Sequence, residues 1–206
     1  MRIATPLLLL SLSYFSFAQS IGNSEELNQK IKAKYPLSTA TVKYNISGDA
    51  LGTAELHFDR NGWRSVEHKE ITIERYGVKS TESTIELTDG DFKYQVNVDA
   101  GKGKKTTDKS WSGLLGYRTH PETIAAIMTS KGGQSAGEQL LLDKTCTVWT
   151  FSTGATREIW EWNGILLKVI KKLPGLSYEM IAQEILPIES INEELLILPK
   201  SLVWTD

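Results

Sequence analysis

Hydrophobic and polar residues alternate along most of this chain, and the alternation begins at Leu37. Val42, Tyr44 and Ile46 share one side of a two-residue period. After a Gly48-Asp49 turn, Ala54, Leu56 and Phe58 share the next. This is the pattern of strands with one buried face. Asn61-Gly62 reads as a two-residue hairpin turn into WRSVEHKEITIERYG. Gly77 breaks that strand, and VKSTESTIELT follows as far as Asp89-Gly90. FKYQVNV then places Phe92, Tyr94, Val96 and Val98 inside, with Lys93, Gln95 and Asn97 outside. Turn signals at such short intervals predict an antiparallel meander.

The strongest turn signal is Asn163-Gly164, inside REIWEWNGILLKVIK. Both residues tolerate the positive φ of a type I′ turn. A two-residue loop sets Trp162 opposite Ile165, Trp160 opposite Leu167 and Glu158 opposite Val169. Trp160, Trp162, Ile165, Leu167 and Val169 then share one face; Ile159, Leu166 and Ile170 lie on the other, among Arg157, Glu161 and Lys168. A face this rich in large apolar groups needs a core, a helix or a ligand to cover it.

The period lengthens in two places. Asn23 to Lys34 predicts a helix with Leu27 and Ile31 as a narrow apolar stripe, closed by Pro36. Pro121 to Lys131 predicts a second, with Pro121 in its first turn, an apolar stripe of Ile124, Ile127 and Met128, and Gly132-Gly133 beyond it. Glu138 to Phe151 reads as one strand, LSYEMIAQEILPI as another, and INEELLILPKSLVW as a short apolar tail. Asp99 to Trp111 is polar, and Gly101 to Thr106 within it reads as a solvated hairpin tip. The fold class expected is α+β, mostly antiparallel β.

The first residues change the length of chain that has to fold. Arg2, the apolar run Leu7 to Phe17 and the small-x-small site Ser16-Phe17-Ala18 read as a secretory signal peptide over residues 1–18. Residues 19–206 then form a single domain, with no membrane span expected in the mature chain. A formal net charge of −2 gives no support for nucleic acid as a partner. Cys146 is the single cysteine, so no internal disulfide can form, and its apolar neighbours predict a buried structural thiol.

Candidate chemistry is thin. Gly133-Gln134-Ser135-Ala136-Gly137 matches the G-x-S-x-G nucleophile elbow. The elbow needs a strand before it, a helix after it and a downstream histidine; the order here is reversed, and His120 is the last histidine. It reads as a helix-to-strand loop. Gly101-Lys102-Gly103-Lys104-Lys105-Thr106 lacks the spacing of a phosphate loop. Asn45-Ile46-Ser47 matches a glycosylation acceptor but lies in a predicted strand. Around Asn61-Gly62, a two-residue turn pairs Arg60 with Trp63 and Glu55 with His68. Glu55, His57, Asp59, Arg64 and His68 then project from one face, and two imidazoles with two carboxylates are a donor set for a divalent ion. The competing reading is a solvated outer face opposite Ala54, Leu56, Phe58 and Trp63. No catalytic set and no cofactor motif emerge.

Several of these features together resemble the LolA/LolB superfamily of periplasmic lipoprotein carriers. They are the helix ending near Tyr35-Pro36, the segment Glu86-Leu87-Thr88-Asp89-Gly90-Asp91-Phe92-Lys93-Tyr94, the helix from Pro121 to Lys131, the hairpin segment Gly164-Ile165-Leu166-Leu167-Lys168, and the closing Leu196-Ile197-Leu198-Pro199. The resemblance implies a curved, incomplete β-barrel with helices over an apolar interior. Lipoprotein sorting is not implied with it: the arginine-bearing loop of the true carrier has no match, and no lipid-attachment cysteine follows the signal peptide.

The expectation is therefore a non-enzymatic carrier or sensor in the bacterial periplasm, taking an acyl chain, a lipid or a lipoprotein. The apolar wall is expected from Leu56, Phe58, Trp63, Tyr94 and Val96, with Trp160, Trp162 and Leu167 from the hairpin. Ile124, Ile127 and Met128 form the lid. The alternatives are an envelope interaction module with a self-filled core, docking a partner protein, and a metal site at His57 and His68 with Glu55 and Asp59.

Overall fold

The computed structural model describes residues 33–205. The signal peptide and the helix expected from Asn23 fall almost wholly outside the described residues. The alternating segments become β1 (Ala40–Gly48), β2 (Ala50–Asp59), β3 (Arg64–Arg75), β4 (Val78–Asp89), β5 (Phe92–Asn97) and β6 (Lys102–Thr107). Two helices follow, α1 (Ser110–Leu114) and α2 (His120–Ser130). A second meander comprises β7 (Gly133–Leu141), β8 (Lys144–Phe151), β9 (Thr156–Trp162), β10 (Ile165–Leu173) and β11 (Leu176–Pro187), and β12 (Val203–Thr205) ends the chain.

All twelve strands form one sheet, in the order β12-β6-β5-β4-β3-β2-β1-β11-β10-β9-β8-β7. Its two edges do not meet, so it is not closed into a barrel. Every pairing is antiparallel except β12 on β6. The chain starts in the middle, meanders out to β6, crosses through the helices to the far edge, and meanders back until β11 pairs with β1. The sheet curls as well. β11, on one side of β1, approaches β2 on the other. Tyr44 on β1 also donates its hydroxyl hydrogen to the Leu166 carbonyl on β10, at 3.0 Å.

The turns explain which expectations hold. Asn163 (φ 46) and Gly164 (φ 92) make the β9–β10 hairpin as predicted. Leu142 (φ 50) and Asp143 (φ 55) make another between β7 and β8, so the single strand expected from Glu138 to Phe151 is two. The Gly133–Gly137 loop is not a loop but the start of β7, bulged after Ser135. The polar tip expected around Lys102 is strand β6. At Asn61-Gly62, the chain makes a 3-10 turn over Arg60–Gly62 in place of a two-residue turn. Arg60 and Trp63 drop out of the ladder, yet Asp59↔Arg64 and Glu55↔His68 keep the expected register.

Three covers bury the sheet. The central cluster contains Ala40, Val42, Tyr44, Ile46 and Phe58 with Ile165 and Leu167, and Tyr35 and Leu37 pack against it. Tyr35 meets Phe58 edge-on, with ring centroids 4.8 Å apart. Ile124 and Met128 of α2 cover Trp149, Phe151, Ile159 and Val169. Leu195, Leu196, Leu198 and Leu202 of the tail cover Val66, Ile85, Leu87 and Val96. Helix α2 starts on a capping box between Thr119 and Glu122, with Pro121 in the first turn. Among the described residues, no helix is long and apolar enough to cross a membrane.

Phe58 is fully buried, while Leu173 is 40% exposed. Phe58→Ala is expected to lower the free energy of unfolding by about 3–5 kcal/mol, against about 0.5 kcal/mol or less for Leu173→Ala. Urea unfolding followed by tryptophan fluorescence checks both.

Candidate functional site: a cleft beneath helix α2

The cleft has a volume of about 750 Å³ and opens between α2 and strands β7–β9. Pro121, Ile124 and Ala125 form its roof. Thr147, Trp149, Glu161 and Trp162 form its floor, and Ser135, Glu138, Asp143, Lys144, Thr145 and Asn163 line the rest. A smaller cavity of about 310 Å³ lies on the other half of the sheet among polar groups, including Lys69, Glu86, Gln95, Asn97 and Lys102.

The hairpin tip fixes the roof over the floor. A Cβ on Gly164 would lie 2.4 Å from the Lys34 carbonyl oxygen, so only glycine allows the approach. The same carbonyl accepts the His120 Nε2 hydrogen at 2.9 Å, which ties the start of α2 to the tip. Trp111 of α1 lies beside His120, with ring centroids 5.8 Å apart. Lys34 itself is 5% exposed; its ammonium donates to the Gly90 carbonyl at 3.2 Å and lies 4.2 Å from the Trp63 ring centroid. Burial pulls the Lys34 pKa down, opposed by Asp91 and Asp108.

Glu161 and Trp149 give the floor its chemistry. Glu161 is 4% exposed, and its carboxylate accepts the Gly164 N–H. Burial pushes its pKa above the ordinary carboxylate value, against the opposing pull of the Gly164 N–H, His120 and Trp149. Trp149 is 6% exposed, and its Nε1 is sealed from solvent without a completed hydrogen bond. The indole N–H lies near enough to Glu161 to favour the charged carboxylate, but does not reach it in hydrogen-bonding geometry. At the mouth, the Lys144 ammonium lies 4.9 Å from the Trp162 ring centroid.

The residues expected to form the wall are dispersed. Trp162 lines this cleft; Phe58 and Leu167 are sealed in the central core, and Leu56 packs half-buried against it. Trp63 sits beneath Lys34 at the end of the 3-10 turn. Tyr94 and Val96 do not join Phe58. The register His57↔Val66, Val66↔Leu87 and Leu87↔Tyr94 carries them to the opposite face, under the tail. Phe92 and Val98, also expected inside, are 45% and 38% exposed, at the start of β5 and just past its end. Trp160 does not face Leu167, because a bulge between Leu166 and Lys168 sets it opposite Lys168. Ile159 takes the helix side with Trp149 and Val169, and Trp160 turns the other way, its indole donating to Glu158 at 2.7 Å. Of the expected lid residues, Ile124 lines the cleft, while Ile127 and Met128 are buried.

Glu55, His57, Asp59, Arg64 and His68 do share a face, but their polar atoms are engaged. His57 Nδ1 lies 2.9 Å from the Thr41 hydroxyl and its Nε2 3.3 Å from Glu55. His68 Nε2 donates to the Leu195 carbonyl at 3.1 Å. Arg64 clamps Asp59 on one side and Glu193 on the other. This cluster anchors the tail. Burial, the largest influence, lowers the His57 pKa. Among the described residues, no three His, Cys, Asp or Glu side chains are grouped to hold a metal ion. Cys146 is fully buried, and burial raises its thiol pKa.

No protein-family model matches the chain, and no curated protein matches it in sequence. Solved structures do match. An uncharacterised conserved protein from Thermus thermophilus is 7% identical with a TM-score of 0.48, over 89% of this chain and 100% of its own. MucB is 12% identical with a TM-score of 0.39, over 88% of this chain and 64% of its own.

The raised Glu161 pKa makes its charge a cost to the folded state. Because the folded pKa exceeds the unfolded value near 4.5, the penalty is full above the folded pKa and is relieved as the pH falls to 4.5. Glu161→Gln keeps an acceptor for Gly164. It is expected to raise the urea midpoint at pH 7.5, with the gain shrinking toward pH 4.5. A gain that grows on acidification refutes this assignment.

Proposed function

We propose that the protein is a carrier or sensor in the bacterial periplasm that holds an apolar ligand under α2 and performs no chemistry on it. The observation that carries this reading is the cleft itself: about 750 Å³ between a capped helix and a sheet, with Trp149 and Trp162 in its lining. That size falls in the range of small-molecule sites. The ligand class is an acyl chain, a lipid or a lipoprotein. Burying a dozen methylenes supplies about 10 kcal/mol gross, and micromolar binding needs about 8 kcal/mol net. Ordering costs bring the two close. The LolA/LolB resemblance of the hairpins and the α2 segment supports the reading, as does the secretory leader.

A second reading, an envelope interaction module with a self-filled core, is favoured by one observation. Val42, Ile46, Phe58, Ile165 and Leu167 are all fully buried at the centre of the sheet. On that reading, the cleft holds only water.

Ala125 lines the roof, and Ala125→Trp fills part of the cleft from a helix that stays capped. The expected result is at least a tenfold weaker dissociation constant for decanol by calorimetry, with an unchanged urea midpoint. Native mass spectrometry of protein purified from its own envelope is expected to show a co-purifying lipid. Absence of both lipid and decanol binding overturns the proposal.

A further inference from the structure

Resting on the carrier reading, we propose that the cleft selects amphiphiles whose polar end is a neutral hydroxyl and discriminates against those ending in a carboxylate. Two buried groups on the floor carry this. Trp149 offers an indole N–H, which only donates, and it completes no hydrogen bond. Glu161 offers a carboxylate, which only accepts, and one backbone N–H from Gly164 leaves it lone pairs to spare. Both residues line the same cleft, and the register Thr147↔Glu161 and Trp149↔Ile159 sets them on one face of β8 and β9. A group that completes both must accept from one and donate to the other, and a hydroxyl is the simplest that does.

The charges around the cleft point the same way. Glu138, Asp143 and Glu161 line it against Lys144 alone, and the Lys144 ammonium lies over Trp162. An anionic end therefore meets a buried carboxylate in a region of low effective dielectric, where like charges repel most strongly. An ammonium end satisfies Glu161 but sets a second donor against the indole N–H, which stays unpartnered at the usual cost of a buried polar group. Ile124 lines the cleft and packs on the same cluster as Trp149, so the polar end reaches the indole nitrogen by displacing the Ile124 side chain.

Calorimetry on the folded protein with decanol, decanoate and decylammonium at pH 8 tests this. Decanol is expected to bind at least tenfold tighter than either ion, the range of one well-made buried hydrogen bond to or beside a charged group. Trp149→Phe keeps the ring and removes the donor; it is expected to weaken decanol about tenfold and leave decanoate unchanged. Glu161→Gln removes the repelling charge and should tighten decanoate. That variant keeps the test open should Trp149→Phe fail to fold. Decanoate binding as tightly as decanol overturns the hydroxyl preference while leaving the carrier reading in place, as does indifference of decanol to both variants. If none of the three probes binds, the carrier reading fails with it.

Discussion

The pairing of β1 with β11 is the contact on which the site depends. Every other antiparallel pair in the sheet joins strands that follow one another in sequence, so each is a local hairpin. Val42↔Ile185 and Ile46↔Met180 instead bring together segments separated by nearly the whole described chain. Closing so long a loop costs entropy before any contact is gained. The ladder that offsets this cost is among the most deeply buried, with Ala40 and Val42 fully covered on β1. Without it, the two meanders are separate sheets, and the helices between them have no reason to lie across either.

Once the halves are joined, the covering of apolar area decides where space remains. The tail takes the face of β3 to β5 that carries Val66, Ile85 and Leu87, and Gly103 leaves room on β6 for the Trp204 ring, which a Cβ would approach to 2.8 Å. Segment 34–37 closes the centre. Helix α2 is left with the strands at the far edge, where it buries Ile124 and Met128 but leaves Ala125 and Pro121 over open space. The cleft is what one short helix fails to fill, and its polar rim follows from its position beside the exposed edge strand β7.

Turns and helix α2 were legible in the sequence because their signals are local: Asn-Gly for positive φ, and Pro121 with Gly132-Gly133 as boundaries. The Leu142-Asp143 turn was not, since neither residue announces positive φ and the flanking residues continue an apolar run. Faces were harder still. A period-two pattern tells which residues share a face but not which face meets which, and one bulged residue near Leu167 reassigns Trp160 and Ile159. Tyr94 and Val96 alternated as expected, yet their cover is a tail of irregular backbone with no periodicity to read. Glu161 stood in the sequence among the charges on one face of the hairpin, and Trp149 within the strand expected from Glu138 to Phe151. Only the register Thr147↔Glu161 and Trp149↔Ile159 puts them on one floor.

The hairpin tip links that floor to the helix above it. Glu161 accepts the Gly164 N–H, Gly164 lies against the Lys34 carbonyl, and that carbonyl accepts from His120 in the first turn of α2. The carboxylate facing the cleft is therefore three contacts from the helix that roofs it. Two of those links are hydrogen bonds, while the rest of the helix rests on apolar packing. Beyond that end, Ile124 and Met128 pack on Trp149 and Ile159, and Gly133 brings the start of β7 against the Met128 carbonyl, so α2 is held over the cleft at both ends.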